Sequence, residues 1–284
     1  MSPKPESLPA TLPDFAVIGA MKAGTTTLYR YLLEHPQVGM SRMKETDYFI
    51  RNKNFDLGED WYRSQFTPGF EIYGEVSPNY TMRDVFLDVP ETLSQAAPDA
   101  RLIFLARDPV DRLVSHYHHV WLLGHIDARP EELLGSEHWP KIVAASSYHR
   151  QLQPYLEHFD REQLLILDFD DLRRKPQAVF DRVCDHIGAT RMPVPDIGAQ
   201  NEGESLARMP RSVQRLWQSK AMRRLDPLIS RGARDMARKV FSHGPKRSAP
   251  KLTPKILKAA TEALREDARA FRKLSGLPFN SWKV

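Results

Sequence analysis

Short apolar runs that alternate with helical patterns predict an α/β fold, a three-layer sandwich whose central parallel sheet is flanked by helices, followed by a basic helical C-terminal region. Three observations carry this expectation. Apolar runs bounded by turns recur at 15–18, 72–73, 102–105 and 164–167. Helical patterns fill the intervals at 25–35, 84–96, 109–123, 147–159 and 176–187, the alternation that builds a parallel sheet covered on both faces. The first run also passes through a glycine-containing turn straight into a helical pattern. Ligands of such sheets lie beyond the carboxyl ends of the strands.

That first turn, within Val17-Ile-Gly19-Ala-Met-Lys22-Ala23-Gly24-Thr25-Thr26-Thr27-Leu28, is P-loop-like. A strand, a turn and a helix start present free N–H groups and the positive end of a helix dipole to an anion. Gly19 and Gly24 keep the glycine spacing of the nucleotide-binding loop G-x-x-x-x-G-K-[ST], but Lys22 lies inside the turn and Thr25 stands at the lysine position. Gly24 allows close backbone approach, Thr25, Thr26 and Thr27 add hydroxyls, and Lys22 supplies a mobile point charge. Leu28, Leu32 and Leu33 give the helix an apolar face, and Pro36 closes it after His35. The alternative is an ordinary strand-turn-helix with a solvent-facing lysine.

Bulk composition bounds the class. The 284 residues are 41% hydrophobic and 27% charged, globular proportions with no run long enough to span a membrane. Residues 1–13 are polar and Pro-rich and are expected to form a flexible tail. A single domain is expected over 14–284, with the α/β core at 14–189 and a loop and basic helical part at 190–284. The single cysteine, Cys184, excludes an internal disulfide and points to a core position and a cytoplasmic setting. Residues 205–284 hold 20 Lys+Arg against 5 Asp+Glu, whereas 1–204 hold 21 against 31. This asymmetry points the C-terminal part toward an anionic partner, although solvated helix faces explain it equally well. No zinc-finger spacing or basic heptad pattern supports a nucleic-acid partner.

Within that C-terminal part, helical stretches are expected at 211–240 and 254–275, the latter opened by Thr253-Pro254 as N-cap and first turn. Residues 51–70 and 124–146 read as long excursions of the kind that contact substrates, and 190–210 as a linker or ordered loop.

A second anion site follows the 102–105 run: Arg107-Asp108-Pro109-Val-Asp111-Arg112-Leu-Val-Ser115-His116-Tyr117. Asp108 is placed to cap and Pro109 fits the first helical position. The planar fork of Arg107, at the carboxyl edge of a buried strand, suits a phosphate. Taken alone, Arg107 and Asp108 also read as a structural ion pair.

Together the two motifs resemble the sulfotransferases that use 3′-phosphoadenosine-5′-phosphosulfate (PAPS) as donor. Their K-x-G-T-T-[ST]-L loop is matched by Lys22, Gly24, Thr25, Thr26, Thr27 and Leu28. Their R-D-P-x-x-R-x-x-S-x-Y segment is matched by Arg107, Asp108, Pro109, Arg112, Ser115 and Tyr117. Lys44-Glu45-Thr46-Asp47-Tyr48-Phe49 resembles the K-E-x-H-F-F segment of the heparan-sulfate and related carbohydrate branch. Glu75-Val-Ser77-Pro78-Asn79-Tyr80 resembles the E-x-S-P-x-Y segment of that branch. The stretch from Gln163 to Pro176 is similar too, and weaker likeness at Asn201 and at 210–212 thins out toward Trp282.

The resemblance implies in-line transfer of a sulfuryl group to a hydroxyl or amine, with an acceptor that is a saccharide, glycolipid or small metabolite. It assigns the 5′-phosphosulfate to Lys22, Ala23, Gly24, Thr25, Thr26 and Thr27, the 3′-phosphate to Arg107 and Ser115, and the general base to Glu45. It implies no metal, and no magnesium-ligand pair stands out in the sequence. Two departures matter. Asp47 replaces the family histidine, and the Cys-bracketed basic loop of the animal heparan enzymes cannot form around Cys184 alone. Arg208, Arg211, Lys246 and Arg247 are candidates to take over that loop's phosphate contact. Glu45 also reads as a surface glutamate paired with Lys44, and His116, His118 and His119 as packing and solvent-facing residues. Two rival functions remain at this level, a nucleotide or small-molecule kinase with a variant loop and a non-catalytic binder of anionic polymers.

Overall fold

The structure, a computed structural model, describes residues 7–10, 12–122, 126, 129–198 and 249–284. Among them, strands β1 (Phe15–Gly19), β2 (Val38–Met40), β3 (Ile72–Val76), β4 (Arg101–Ala106) and β5 (Leu164–Asp168) form one parallel sheet in the order β2-β3-β1-β4-β5. Every residue of the central β1 is buried, and β4 exposes only its first. Such strands need cover on both faces, which is why they read as unbroken apolar runs. Because the chain moves from β1 toward β2 and β3 on one side and then to β4 and β5 on the other, the strand order reverses at β1. The crevice that this reversal opens lies at the carboxyl ends of β1 and β4.

The helices are α1 (Thr25–Leu33), α2 (Gly58–Arg63), α3 (Val89–Ala96), α4 (Pro109–Leu122), α5 (His138–Ala144), α6 (Tyr148–Leu152), α7 (Phe169–Arg174), α8 (Pro176–Ile187) and α9 (Pro254–Ser275). The expected bounds of α8 and α9 agree with the structure. The Thr253 side chain accepts from the Ile256 N–H to start α9, and Gly276 ends it in the left-handed conformation. Proline explains two differences. The pattern expected over 84–96 becomes helical only at α3, whose first turn holds Pro90. The one expected over 147–159 breaks after α6 into a 3-10 turn, Gln153–Glu157, where Pro154 cannot donate to an α-helical ladder. The helix expected over 211–240 lies outside the described residues.

Two clusters of buried side chains hold the layers together. The larger surrounds the sheet, and the smaller joins Val110, Leu113 and Tyr117 of α4 and Ile142 of α5 to Ile256, Ala260 and Leu264 of α9. Phe271, Phe279 and Trp282 stack at the C-terminal end, Phe279 and Trp282 with ring centres 4.1 Å apart. At the other end, Leu12 is buried and the Arg63 guanidinium donates to the carbonyls of Pro9 (2.9 Å) and Ala10 (3.1 Å). No described helix is long and apolar enough to cross a membrane.

Gly74 of β3 pairs in register with Phe15, and a Cβ there would stand 2.1 Å from the Phe15 ring. Gly74→Ala is therefore expected to cost about 1–3 kcal/mol through overpacking. Urea denaturation at unchanged slope would read this, and a loss below about 0.5 kcal/mol would mean that the sheet yields at this point.

Candidate active site

The turn after β1 is fastened to the neighbouring strand, with the Ala20 N–H donating to the Leu105 carbonyl at 2.9 Å. Lys22 (φ 70°) and Gly24 (φ 89°) both adopt the left-handed conformation, and Gly24 is the N-cap of α1. The N–H groups of Thr27 and Leu28 return to the Gly24 carbonyl, at 3.0 and 3.3 Å. Those of Thr25 and Thr26 stand at the open, positive end of the helix. The structure adds a reason for the glycine beyond backbone approach to a ligand. A Cβ on Gly24 would lie 2.8 Å from the Phe169 ring, so α7 fills the space that a side chain would take.

Phe169 also explains where Arg107 goes. The Arg107 guanidinium sits 5.2 Å from the centre of that ring, and its Nη1 donates to the Lys22 carbonyl at 3.3 Å. The two anion motifs, 85 residues apart in sequence, thus meet at the carboxyl ends of β1 and β4. The Arg107–Asp108 ion pair allowed by the sequence does not form. Asp108 Oδ1 accepts from the N–H groups of Val110 (2.8 Å) and Asp111 (2.9 Å), the expected cap of α4, while Oδ2 accepts from the Lys283 N–H. Ser115 lies half-buried on α4, two turns beyond Arg107.

Glu45 sits on the loop after β2 with φ 67°, its N–H donating to the Val76 carbonyl at 2.8 Å. Lys44 Nζ donates to Glu45 Oε1 at 2.6 Å, so the expected pairing is present, although the Glu45 side chain keeps 41% of its exposure. Burial raises its pKa, but Lys44, Lys53 and His119 together outweigh that and hold the carboxyl below the usual glutamate value. Asp47 is also left-handed (φ 48°). It accepts from Lys53 Nζ at 2.6 Å and from Asn79 Nδ2 at 3.1 and 2.9 Å. Among the described residues, Lys22, Glu45 and Asp47 are three of four non-glycine residues with positive φ, the fourth being Phe279. Such conformations persist only where surrounding contacts hold them.

Those contacts converge on Glu75, which is fully buried at the end of β3. Its carboxylate accepts from the hydroxyls of Ser77 (2.8 Å), Tyr80 (2.9 Å), Tyr62 (3.0 Å) and Thr46. Burial raises its pKa and the four hydroxyl donors oppose the rise. Thr46 lies between Glu45 and Asp47, so this network fixes the loop from beneath. The sequence placed Glu75 in a motif without indicating this role. Its partners Tyr62 and Tyr80 come from separate segments, so no local pattern announces the network.

The histidines divide. His116 is buried on α4 against the equally buried Arg112, which donates to its Nδ1 and to the Ala145 carbonyl. That bond places the ring proton on Nε2. Burial, Arg112, His119 and Lys22 push the His116 pKa well below the ordinary value, and burial lowers that of Arg112 to about 10. His118 is half-buried, with its pKa lowered by burial. Packing describes His116 and His118. His119 instead lies within electrostatic reach of Glu45, one turn beyond a histidine that senses Lys22. α4 thus brings a charged group to act on Glu45, which reading the three histidines as packing and solvent-facing residues did not indicate. Arg208, Arg211, Lys246 and Arg247 lie outside the described residues.

A parallel sheet with an anion-binding loop at its switch point, an arginine tied to that loop and a carboxylate beside it define a group transferase of the P-loop-like class. Comparisons with known proteins agree. Residues 12–197 match the family model for the sulfotransferase domain, and the chain belongs to that family. It is 31% identical over 202 residues to bifunctional heparan sulfate N-deacetylase/N-sulfotransferase 4 of Mus musculus, a match covering 63% of this chain and 22% of that protein. It is 28% identical over 195 residues to heparan sulfate glucosamine 3-O-sulfotransferase 3B1 of Homo sapiens, covering 64% of this chain and 47% of that one. The chain thus spans less than half the length of these relatives. A sulfotransferase from Alicyclobacillus acidocaldarius shares the fold, with a TM-score of 0.66 at 21% identity over 96% of this chain and 99% of that one.

At the carboxyl end of β5, opposite Ala106, Asp168 caps α7 by accepting from the Asp170 N–H at 2.9 Å. Burial raises its pKa from 3.8 to about 6. A raised folded value means that the native state binds more protons than the unfolded chain. The contribution of this group to stability is therefore full below 3.8 and lost as pH rises to about 6. Asp168→Asn keeps a capping oxygen without the titration. The stability of the parent relative to this variant should fall between pH 4 and 6.5 in urea denaturation, and a difference that rises with pH would refute the assignment.

Proposed function

We propose that the protein transfers a sulfuryl group from PAPS to a hydroxyl or amine of a saccharide acceptor. The observation that carries this reading is the bond from Arg107 to the Lys22 carbonyl, which builds one site from two anion motifs. The donor carries phosphate at both ends of its ribose, and the residues present suit it. The N–H groups and hydroxyls of Thr25, Thr26 and Thr27, with the turn at Ala23 and Gly24, hold the 5′-phosphate. Arg107 and Ser115 hold the 3′-phosphate and so exclude ATP as the preferred ligand.

The chemistry is a displacement at sulfur. Glu45, ionised at neutral pH, takes the acceptor proton as the acceptor oxygen or nitrogen bonds to sulfur. Lys22 meets the charge left on the departing phosphate oxygen as the S–O bond breaks. The released product is 3′-phosphoadenosine-5′-phosphate (PAP). Membership of the sulfotransferase family and likeness to two heparan sulfate sulfotransferases support a sugar as acceptor. A kinase would need a lysine directly after Gly24, where Thr25 stands.

Thermal shifts with PAP, ATP–Mg²⁺ and DNA separate the rival functions. PAP at about a hundred times its dissociation constant is expected to stabilise the protein by about 2.7 kcal/mol. Stabilisation by ATP–Mg²⁺ alone would sink the proposal. Arg107→Ala should lose most of the PAP shift. Glu45→Gln should keep that shift while transfer falls about 100-fold or more, and near-normal transfer by this variant would remove Glu45 as base.

A further inference from the structure

Lys53 and Asp47 form a charge pair that the transfer chemistry above does not use. Asp47 is two residues beyond Glu45, and its side chain is 11% exposed against 31% for Lys53. Beyond the Lys53 bond, both Asp47 oxygens accept from Asn79 Nδ2, and the Asp47 N–H donates to Ser77 Oγ at 3.2 Å. Ser77 in turn donates to the buried Glu75. Asp47 is thus anchored twice to the segment after β3, once through its backbone and once through its carboxylate. Lys53 is held on its other side, with Nζ 4.7 Å from the centre of the Phe86 ring.

Asp47 is buried, so its charge needs the Lys53 and Asn79 partners to remain in the loop. Here Lys53 also acts on Glu45, which lies two residues before its Asp47 partner. Lys53 favours the ionised form of Glu45, as Lys44 and, from α4, His119 do. Asp47 and Glu45 repel each other, and together with burial this raises the pKa of Asp47 despite the opposing effects of Lys53 and Asn79.

We propose that Asp47 and Lys53, braced by Asn79, are a positioning pair for the proton-accepting Glu45: Asp47 holds the Lys53 ammonium at the loop that carries this carboxylate, and the two opposite charges offset each other there. The inference rests on Glu45 being the base.

The test is the pH dependence of kcat/KM at saturating donor for Lys53→Met, Asp47→Asn, the double variant and Glu45→Gln. Removing Lys53 leaves the Asp47 charge uncompensated, so the acid limb should move to higher pH. Activity on the limb should be about threefold or more below the parent, with the plateau little changed. Removing Asp47 leaves Lys53 uncompensated, and the limb should move the other way. The double variant should return close to the parent, and Lys53→Arg should keep the parental limb. A purely structural pair would move both single variants in the same direction, or lower the plateau alone, and either result overturns the proposal. PAP-induced thermal shifts confirm that each variant is folded and binds at the donor site. If Glu45→Gln retains the limb and the rate, the reading of Glu45 as base fails and the pairing falls with it. If the limb vanishes in Glu45→Gln yet stays fixed in both single variants, the pairing alone is wrong.

Discussion

The buried carboxylate of Glu75 is the constraint on which the loop carrying Glu45 and Asp47 depends. Removing a carboxylate from water is costly unless its oxygens find donors. Here the donors are hydroxyls of Thr46, Tyr62, Ser77 and Tyr80, and no lysine or arginine is among its partners in the described residues. Each bond to an ionised acceptor is worth roughly 1.5–3 kcal/mol. The gain is spent on geometry. The set ties α2, the end of β3 and the loop after β2 to one point, and that loop carries two residues in the left-handed conformation. Without a buried acceptor beneath it, a stretch such as Lys44-Glu45-Thr46-Asp47 would relax toward ordinary extended or helical backbone.

The donor side rests on a different kind of support. Phe169 packs where Gly24 has no side chain and lies beside the Arg107 guanidinium, so one ring sets both the turn and the arginine. Tyr148 adds a third element by donating to the Arg107 carbonyl at 2.8 Å. Two aromatic side chains from different parts of the chain thus hold the arginine that donates to the loop. Rigid neighbours of this sort are what keep an anion site ready before its ligand arrives.

Much of this was legible in the sequence, because local rules decide it. The cap at Asp108, the start of α9 at Thr253 and the buried strands β1 and β4 follow from residues adjacent to them. The loop at Lys22 and the segment at Arg107 could be read as anion sites from spacing. What stayed hidden involves residues far apart in sequence. Three residues, Val-Gly-Met, gave no periodic signal for β2, which exists because β3 offers it an edge. The place of Phe169 under the loop, the inward aim of Tyr62 and the approach of His119 to Glu45 depend on tertiary packing that no short pattern encodes. The family histidine replaced by Asp47 showed as a departure, yet only the positions of Lys53 and Asn79 show how its charge is met.

The docking of α9 and Lys283 on α4 has a consequence for where the chain can be divided. The matched family region ends at residue 197, yet Ile256, Ala260, Leu264 and Phe271 fill both buried clusters, and Lys283 bonds to the aspartate that caps α4. α9 and the residues after it cover a side of α4 that the matched region, with Ile142 of α5, covers only in part. The region recognisable as the family therefore leaves part of its core to residues beyond its border. Cutting the chain at that border would expose the apolar side chains of α4 that α9 covers.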